Sequence, residues 1–436
     1  MQVSVETTGG LERKITVQVP AERVEGEITS RLRDLARRVR MDGFRPGKVP
    51  FKVVQRQYDG QVRSEVVGDV MQQTLQEALI QEKLNPAGGP TIEPKNLTPG
   101  EALEYSATFE VYPEIELASF DSAAIERPVA EVTDADVDAM LEKLRVQRVT
   151  WDTVERAAKE EDQVTISFEG TIDGEPFNGG KADNVPVVLG AGRFIEGFET
   201  QLVGAKAGDQ RTVEVDFPQD YAGKDVAGKH AVFAVNVIAV SEPKLPEIDD
   251  EFARSFGITD GGIEALRRDV RANMQRELDD AIRSRVKQQV MDALLDLNNI
   301  DLPKALVEEE IDRLLKQTSE QQPEAMRNLN LPRELFQEQA NRRVSLGLLI
   351  GEVIRKNEIK LDAERVRTTL ENFAETYEDP QEVISAYRKN RSLMREIEGH
   401  VIEEQVVDLL LGQAQVTDKA MSFDELVNAE KGGAAA

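Results

Sequence analysis

At Pro246 the chain changes character, and no other feature constrains its fold as much. From Thr150 to Leu245, glycines and β-branched residues crowd together in Val164-Thr165-Ile166-Ser167-Phe168, Val185 to Leu189, Thr212-Val213-Glu214-Val215 and Val232 to Val240. Short runs of this kind between glycine turns predict a compact antiparallel sheet, with residues 192–204 supplying one short helix. After Pro246 strand signals vanish. Residues 262–297, 304–321, 333–357 and 362–374 follow the helical period and are rich in Glu, Lys, Arg, Gln, Leu and Ala. The predicted domains are therefore a sheet domain at 150–245 and an all-α domain at 246–436.

Residues 1–112 read as a third, α+β domain. Ile15, Val17 and Val19 alternate as in a half-buried strand, and a helix starts at Pro20. Its apolar stripe is Val24, Ile28, Leu32, Leu35 and Val39, and Arg33, Arg37 and Arg40 make a cationic stripe. A second helix is predicted from about Gln61 to Leu84, and Tyr105, Ala107, Phe109 and Val111 alternate as a closing strand. Between the helices lies Gly43-Phe44-Arg45-Pro46-Gly47-Lys48-Val49-Pro50. Its glycines permit tight turns and its prolines fix φ, so the loop is rigid. A rigid loop holding an aromatic and two cations in water loses little entropy on docking. The local pattern equally fits a plain helix-to-helix turn with Phe44 tucked into the core. Residues 113–149 form a connector ending in a helix with Val137, Met140, Leu141 and Leu144 on one side.

Composition removes several function classes. The 436 residues include no cysteine and only two histidines, His230 and His400, far apart in sequence. The absence of cysteine rules out disulfides, thiolate metal sites and thiol nucleophiles, and two distant histidines disfavour a metal site or a His-based triad. No run of about 18 apolar residues is present, and the N-terminus lacks a signal-peptide pattern, so a cytoplasmic protein is expected. The net charge of −27 is uneven: residues 31–56 hold nine basic and two acidic residues. A local positive patch on an acidic protein points to one localised anionic partner and away from broad coating of nucleic acid.

The sheet segment carries ordered blocks: Val164 to Gly170, Phe177-Asn178-Gly179-Gly180, Leu189-Gly190-Ala191-Gly192-Arg193-Phe194-Ile195-Glu196-Gly197-Phe198-Glu199, Phe217-Pro218-Gln219-Asp220-Tyr221 and Phe233 to Val237. Together they resemble the FK506-binding family of prolyl isomerases. The resemblance implies a pocket of Phe168, Phe177, Ile195, Phe198, Tyr221 and Phe233, with the Ile195 N–H anchoring the substrate carbonyl and the Tyr221 hydroxyl as a second polar contact. Many stand-alone members carry Asp where this chain has Asn178, and often Trp where it has Phe198. Apolar walls suit the chemistry. Rotation of a peptide bond faces about 18–20 kcal/mol, while the X–Pro isomers differ by only about 0.5–1 kcal/mol. A twisted amide loses resonance and polarity, so a water-poor pocket favours it over the planar ground state without a nucleophile or metal.

The loop, the isomerase blocks and the long helical region together resemble the trigger factor family of bacterial nascent-chain chaperones. That resemblance implies a multidomain α+β protein: a ribosome-binding domain at 1–112, a linker at 113–149 packing with 246–436, and an FK506-binding-type insert with one short helix at 150–245. It implies Gly43, Phe44, Arg45, Gly47, Lys48 and Pro50 as the docking residues at the tunnel exit, on a large-subunit protein and adjacent RNA. Pro46 stands where some members have a basic residue. The implied partners are the ribosome and nascent or unfolded polypeptides, with a homodimer of the free chain as an option, and no DNA, membrane, cofactor or metal. Two rivals stay open: a tethered isomerase without holding activity, and a non-enzymatic adaptor that binds proline segments.

Overall fold

The computed structural model describes residues 1–42, 44, 48–221, 223–321, 331–375, 377 and 379–427. They form two compact units, one of Met1–Arg127 with Ser284–Lys419 and one of Pro128–Arg283 with the residues from Ala420. The first unit begins with β1 (Gln2–Gly9), β2 (Glu12–Val19), α1 (Ala21–Arg38), α2 (Phe51–Gln81), β3 (Thr91–Asn96) and β4 (Leu103–Glu110). The antiparallel sheet has the order β1-β2-β4-β3. The alternating residues Ile15, Val17 and Val19 of β2 and Tyr105, Ala107 and Phe109 of β4 are buried with Val24, Ile28 and Leu32 of α1 and Val66, Val70 and Leu75 of α2. Tyr105 is fully buried, and its hydroxyl bonds Met71 O at 3.0 Å and Thr74 Oγ1 at 2.9 Å, which meets the phenol's polar needs. α2 starts at once after Pro50, whose φ of −61° suits a helix entrance, well before the predicted start near Gln61.

After β5 (Ala124–Val129) the chain enters the second unit through α3 (Asp134–Gln147). Thr133 and Asp136 form a reciprocal capping box that sets the start of α3. The five-stranded antiparallel sheet follows: β6 (Thr150–Val154), β7 (Gln163–Ile172), β8 (Glu175–Val188), β9 (Gln210–Asp216) and β10 (His230–Lys244). β10 pairs with β7 along one edge. Its other edge carries β9 along its first half and β6 along its last five residues. The sheet therefore starts and finishes at one place. Arg156 ties this closure by bonding Asp162 and Glu242. The predicted short helix is only a 3-10 turn, Thr200–Leu202, because Gly197 (φ +87°) and Gly204 (φ +83°) break the helical path on either side.

α4 (Asp250–Ser255) and α5 (Gly262–Leu297) come next. Val137 and Leu141 of α3 share one core with Phe252 of α4, Leu266, Val270, Met274 and Leu278 of α5, and Phe423 and Leu426 near the chain's end. Arg145 Nε donates to Pro246 O at 2.7 Å, and the Arg148 guanidinium lies 4.8 Å over the Phe256 ring. Within this unit, helices from before and after the sheet thus pack directly on each other. The first unit is completed by α6 (Lys304–Gln321), α7 (Gln337–Lys356), α8 (Ala363–Ala374), α9 (Pro380–Lys389), α10 (Arg391–Leu411) and β11 (Gln415–Ala420). β11 corrects the expectation that strands end before Pro246: it pairs with β5. All six of its side chains are exposed, so it has no buried face to impose an alternating pattern. Arg127–Asp418 and Lys419–Glu126 ion pairs cross the two strands instead. No helix among the described residues is long and apolar enough to cross a membrane.

Candidate functional site

The sheet brings together every ring that the sequence blocks suggested. Phe168 on β7 lies edge-on to Phe233 on β10 at 5.7 Å and to Phe198 at 6.1 Å, and Phe198 meets Phe233 at 5.4 Å. Phe177 on β8 packs on Phe233 at 6.0 Å. Tyr221 joins through Phe217, which it meets at 4.9 Å and which contacts Phe177 at 5.9 Å. These edge-to-face distances fall in the favourable range for aromatic pairs. Phe198 and Phe233 are buried, Phe168, Phe177 and Ile195 are half-buried, and Tyr221 is 42% exposed. The burial grades from an apolar floor to a phenol in contact with solvent.

Two glycines make the cluster sterically feasible. A Cβ at Gly170 would lie 2.5 Å from the Phe233 ring and 3.0 Å from Phe177, and one at Gly180 would lie 3.0 Å from Phe177. The missing side chains are the space into which these rings fit.

Three contributors were not among the predicted pocket residues. Phe194 stacks on Phe198 at 5.2 Å, and Phe217 links Tyr221 to the rest. Both stood inside the sequence blocks without a distinguishing signal. The third is Glu199, a buried carboxylate. Burial works to raise its pKa, but N–H bonds from Gly192, Phe194, Arg193 and Gly190 outweigh that and hold it below the ordinary carboxylate value. Ile195 N–H, by contrast, makes no hydrogen bond to any described residue.

The loop between α1 and α2 is a separate candidate. Gly43, Arg45, Pro46 and Gly47 lie outside the described residues. Phe44 is 39% exposed, and Lys48 and Pro50 are also exposed, while Val49 between them is buried in the sheet–helix core. Val49 and the helix-entry Pro50 hold the chain down, and Phe44 is not tucked away. Arg33, Arg38, Arg40, Lys48, Lys52 and Arg56 are exposed and form no ion pair with another described residue. That leaves their charge available to an external anion. His230 bonds Asp216 Oδ1 at 2.7 Å on the exposed side of β10, and among the described residues no His, Asp or Glu group could hold a metal.

Comparisons with known proteins agree along the chain. Residues 1–144 match the family described as bacterial trigger factor protein, residues 262–412 match the trigger factor C-terminus, and residues 154–238 match the FKBP-type peptidyl-prolyl cis-trans isomerases. The chain is 53% identical to the trigger factor of Thioalkalivibrio sulfidiphilus over 434 residues, covering 100% of both chains. It is 53% identical to that of Halorhodospira halophila, covering 99% of both, and 51% identical to that of Pseudomonas syringae pv. syringae, covering 98% of both. A solved structure, "Promiscuous Substrate Recognition in Folding and Assembly Activities of the Trigger Factor Chaperone", shares the fold with a TM-score of 0.50 at 19% identity, over 94% of this chain and 99% of the other. Matched at both ends by trigger factor and in between by the FKBP-type isomerases, the chain belongs to the bacterial trigger factor family and is a chaperone that carries a peptidyl-prolyl isomerase.

Proposed function

We propose that Phe168, Phe177, Ile195, Phe198, Tyr221 and Phe233 form the isomerase pocket for X–Pro bonds in nascent and unfolded polypeptides. The observation that carries this reading is the continuous ring cluster beside an unused N–H at Ile195. The rings exclude water, which favours the less polar twisted amide. The Ile195 N–H holds the substrate carbonyl, and the Tyr221 hydroxyl gives a second polar contact at the exposed rim. Each tenfold in rate requires about 1.4 kcal/mol of such selective stabilisation.

Residues 1–112 serve, in this reading, to dock the chain in the cytoplasm on the large ribosomal subunit at the tunnel exit, against protein and adjacent RNA. The exposed Phe44 and the unpaired cations support it, with Gly43, Arg45, Gly47, Lys48 and Pro50 completing the docking loop. Residues 246–436, with 113–149 packed against them, hold the client, and 150–245 is the isomerase insert. The shared core of α3, α4 and α5 supports that division. Scattered exposed apolar side chains, among them Leu335, Leu361 and Tyr377, suit weak and broad binding of unfolded segments, and the acidic charge keeps the holder soluble. Off the ribosome a homodimer is the form to test for, by analytical ultracentrifugation.

Assays on a short proline peptide and on an unfolded protein client test the combination. Catalysis on both, faster on the protein, with suppression of client aggregation, is the expected result. Binding of proline peptides without acceleration would leave an adaptor, and acceleration without aggregation suppression a tethered isomerase.

A further inference from the structure

We propose that Glu199 is a positioning residue of the isomerase: its carboxylate gathers the N–H groups of the preceding loop and so presents the Ile195 N–H to the substrate carbonyl. The inference rests on the pocket assignment above and adds to it a residue that touches no substrate. Glu199 Oε2 accepts from Gly190 N at 2.9 Å and Gly192 N at 3.0 Å, and Oε1 accepts from Arg193 N at 2.9 Å and Phe194 N at 3.1 Å. Both oxygens are thus filled by one loop. Gly190 (φ +90°) and Gly192 (φ +64°) take left-handed conformations that turn successive N–H groups to one side, the geometry of a backbone anion site. The chain fills that site with its own acid.

Two observations mark this as more than a turn device. Glu199 is 7% exposed, and no Lys or Arg among the described residues pairs with it. Burying a lone carboxylate is costly, and the only groups that compensate it belong to the loop. The four bonds also stop one residue short of Ile195. Phe194, whose N–H is the last one captured, stacks its ring on Phe198 at 5.2 Å, and Phe198 N donates to Ile195 O at 3.0 Å. One carboxylate therefore fixes a pocket ring and the backbone on which the Ile195 donor sits. A donor fixed beforehand in a dry site needs no reorganisation when the amide twists.

The test is kinetics of the full chain on a short proline peptide, with amide NMR of the loop. Glu199→Gln keeps the size but leaves one acceptor oxygen and turns an NH2 group toward the loop donors. Expected are a fall in kcat of about tenfold to a hundredfold from the misplaced donor, a raised KM because the same donor also holds the carbonyl in the ground state, and displaced resonances for Gly190 to Ile195. Aggregation suppression should stay at the parent level. Glu199→Asp, which keeps the charge on a shorter arm, should recover part of kcat. Parental kcat in folded Glu199→Gln overturns the proposal. Should that variant not fold, parental kcat in Glu199→Asp with displaced loop resonances overturns it equally, and a reduced kcat supports it. Failure of the pocket assignment itself has a different signature, full activity in folded Phe198→Ala.

Discussion

Phe198→Ala is the sharpest perturbation of the proposed pocket. The ring is 2% exposed and meets three others, Phe194, Phe233 and Phe168, at 5.2, 5.4 and 6.1 Å. Three aromatic pairs at about 0.5–1.5 kcal/mol each amount to roughly 1.5–4.5 kcal/mol, in line with about 3–5 kcal/mol for removing a buried Phe. A domain in the upper part of the usual range of about 5–15 kcal/mol keeps its fold after that loss, with a lower urea midpoint. If about 1–2 kcal/mol of the lost ring contact acts on the twisted amide, kcat/KM on a proline peptide falls roughly five- to thirtyfold. The assay is protease-coupled or NMR-detected isomerisation below the urea transition, with circular dichroism as the fold control. Chelators should change nothing in either protein. A folded Phe198→Ala with parental kcat/KM would show that these rings are ordinary core.

Gly170→Ala places a methyl 2.5 Å from the Phe233 ring, so it should cost about 1–3 kcal/mol of overpacking and reduce isomerase activity, read by urea unfolding and the same peptide assay. Unchanged stability would mean that the ring moves freely. Replacing Phe44, Arg45 and Lys48 together by Ala should abolish co-sedimentation with ribosomes at unchanged circular dichroism, and salt should weaken parental binding because exposed charges are screened beyond about 8–10 Å. Co-sedimentation of the triple variant at parental levels contradicts the docking assignment. Asp162, 3% exposed, is held below its ordinary pKa by the Arg156 guanidinium, against the opposing effect of burial. A carboxylate depressed in the fold contributes stability above its unfolded pKa of about 3.9 and loses it as the pH falls through the lower folded value. The isomerase segment's urea midpoint should therefore be flat from pH 7 to about pH 5 and drop in the acid range, and Asp162→Asn should lower the neutral midpoint and shallow that drop. An equal acid drop in Asp162→Asn would assign it to other carboxylates.

What was legible in the sequence followed the strength of the local constraint. α5 and α6 were visible because their apolar period is long and Gly262 and Pro303 punctuate them. The rings proposed for the pocket stood in ordered blocks, and the structure joins all of them in one cluster. β11 was hidden because a strand with every side chain in solvent has no period to show. The first turns of α2 were hidden because Val54 is the only buried side chain between Phe51 and Gly60. Glu199 was hidden for a different reason. Its burial depends on a loop whose N–H groups converge only after folding, and an acid beside a Phe reads locally as a surface residue. Pairwise chemistry across a loop leaves no periodic trace.

Isomerisation and holding are proposed to reside in different parts of one chain. The pairing of β6 with the end of β10 brings the sheet's two ends together, so residues 150–245 can be replaced by a short linker. Isomerase rate and aggregation of an unfolded client should be measured in the same samples of the full chain and the deleted chain. The deleted chain should suppress aggregation while its isomerase activity is gone. Loss of both activities in a folded deleted chain, or isomerase activity that survives the deletion, would contradict it.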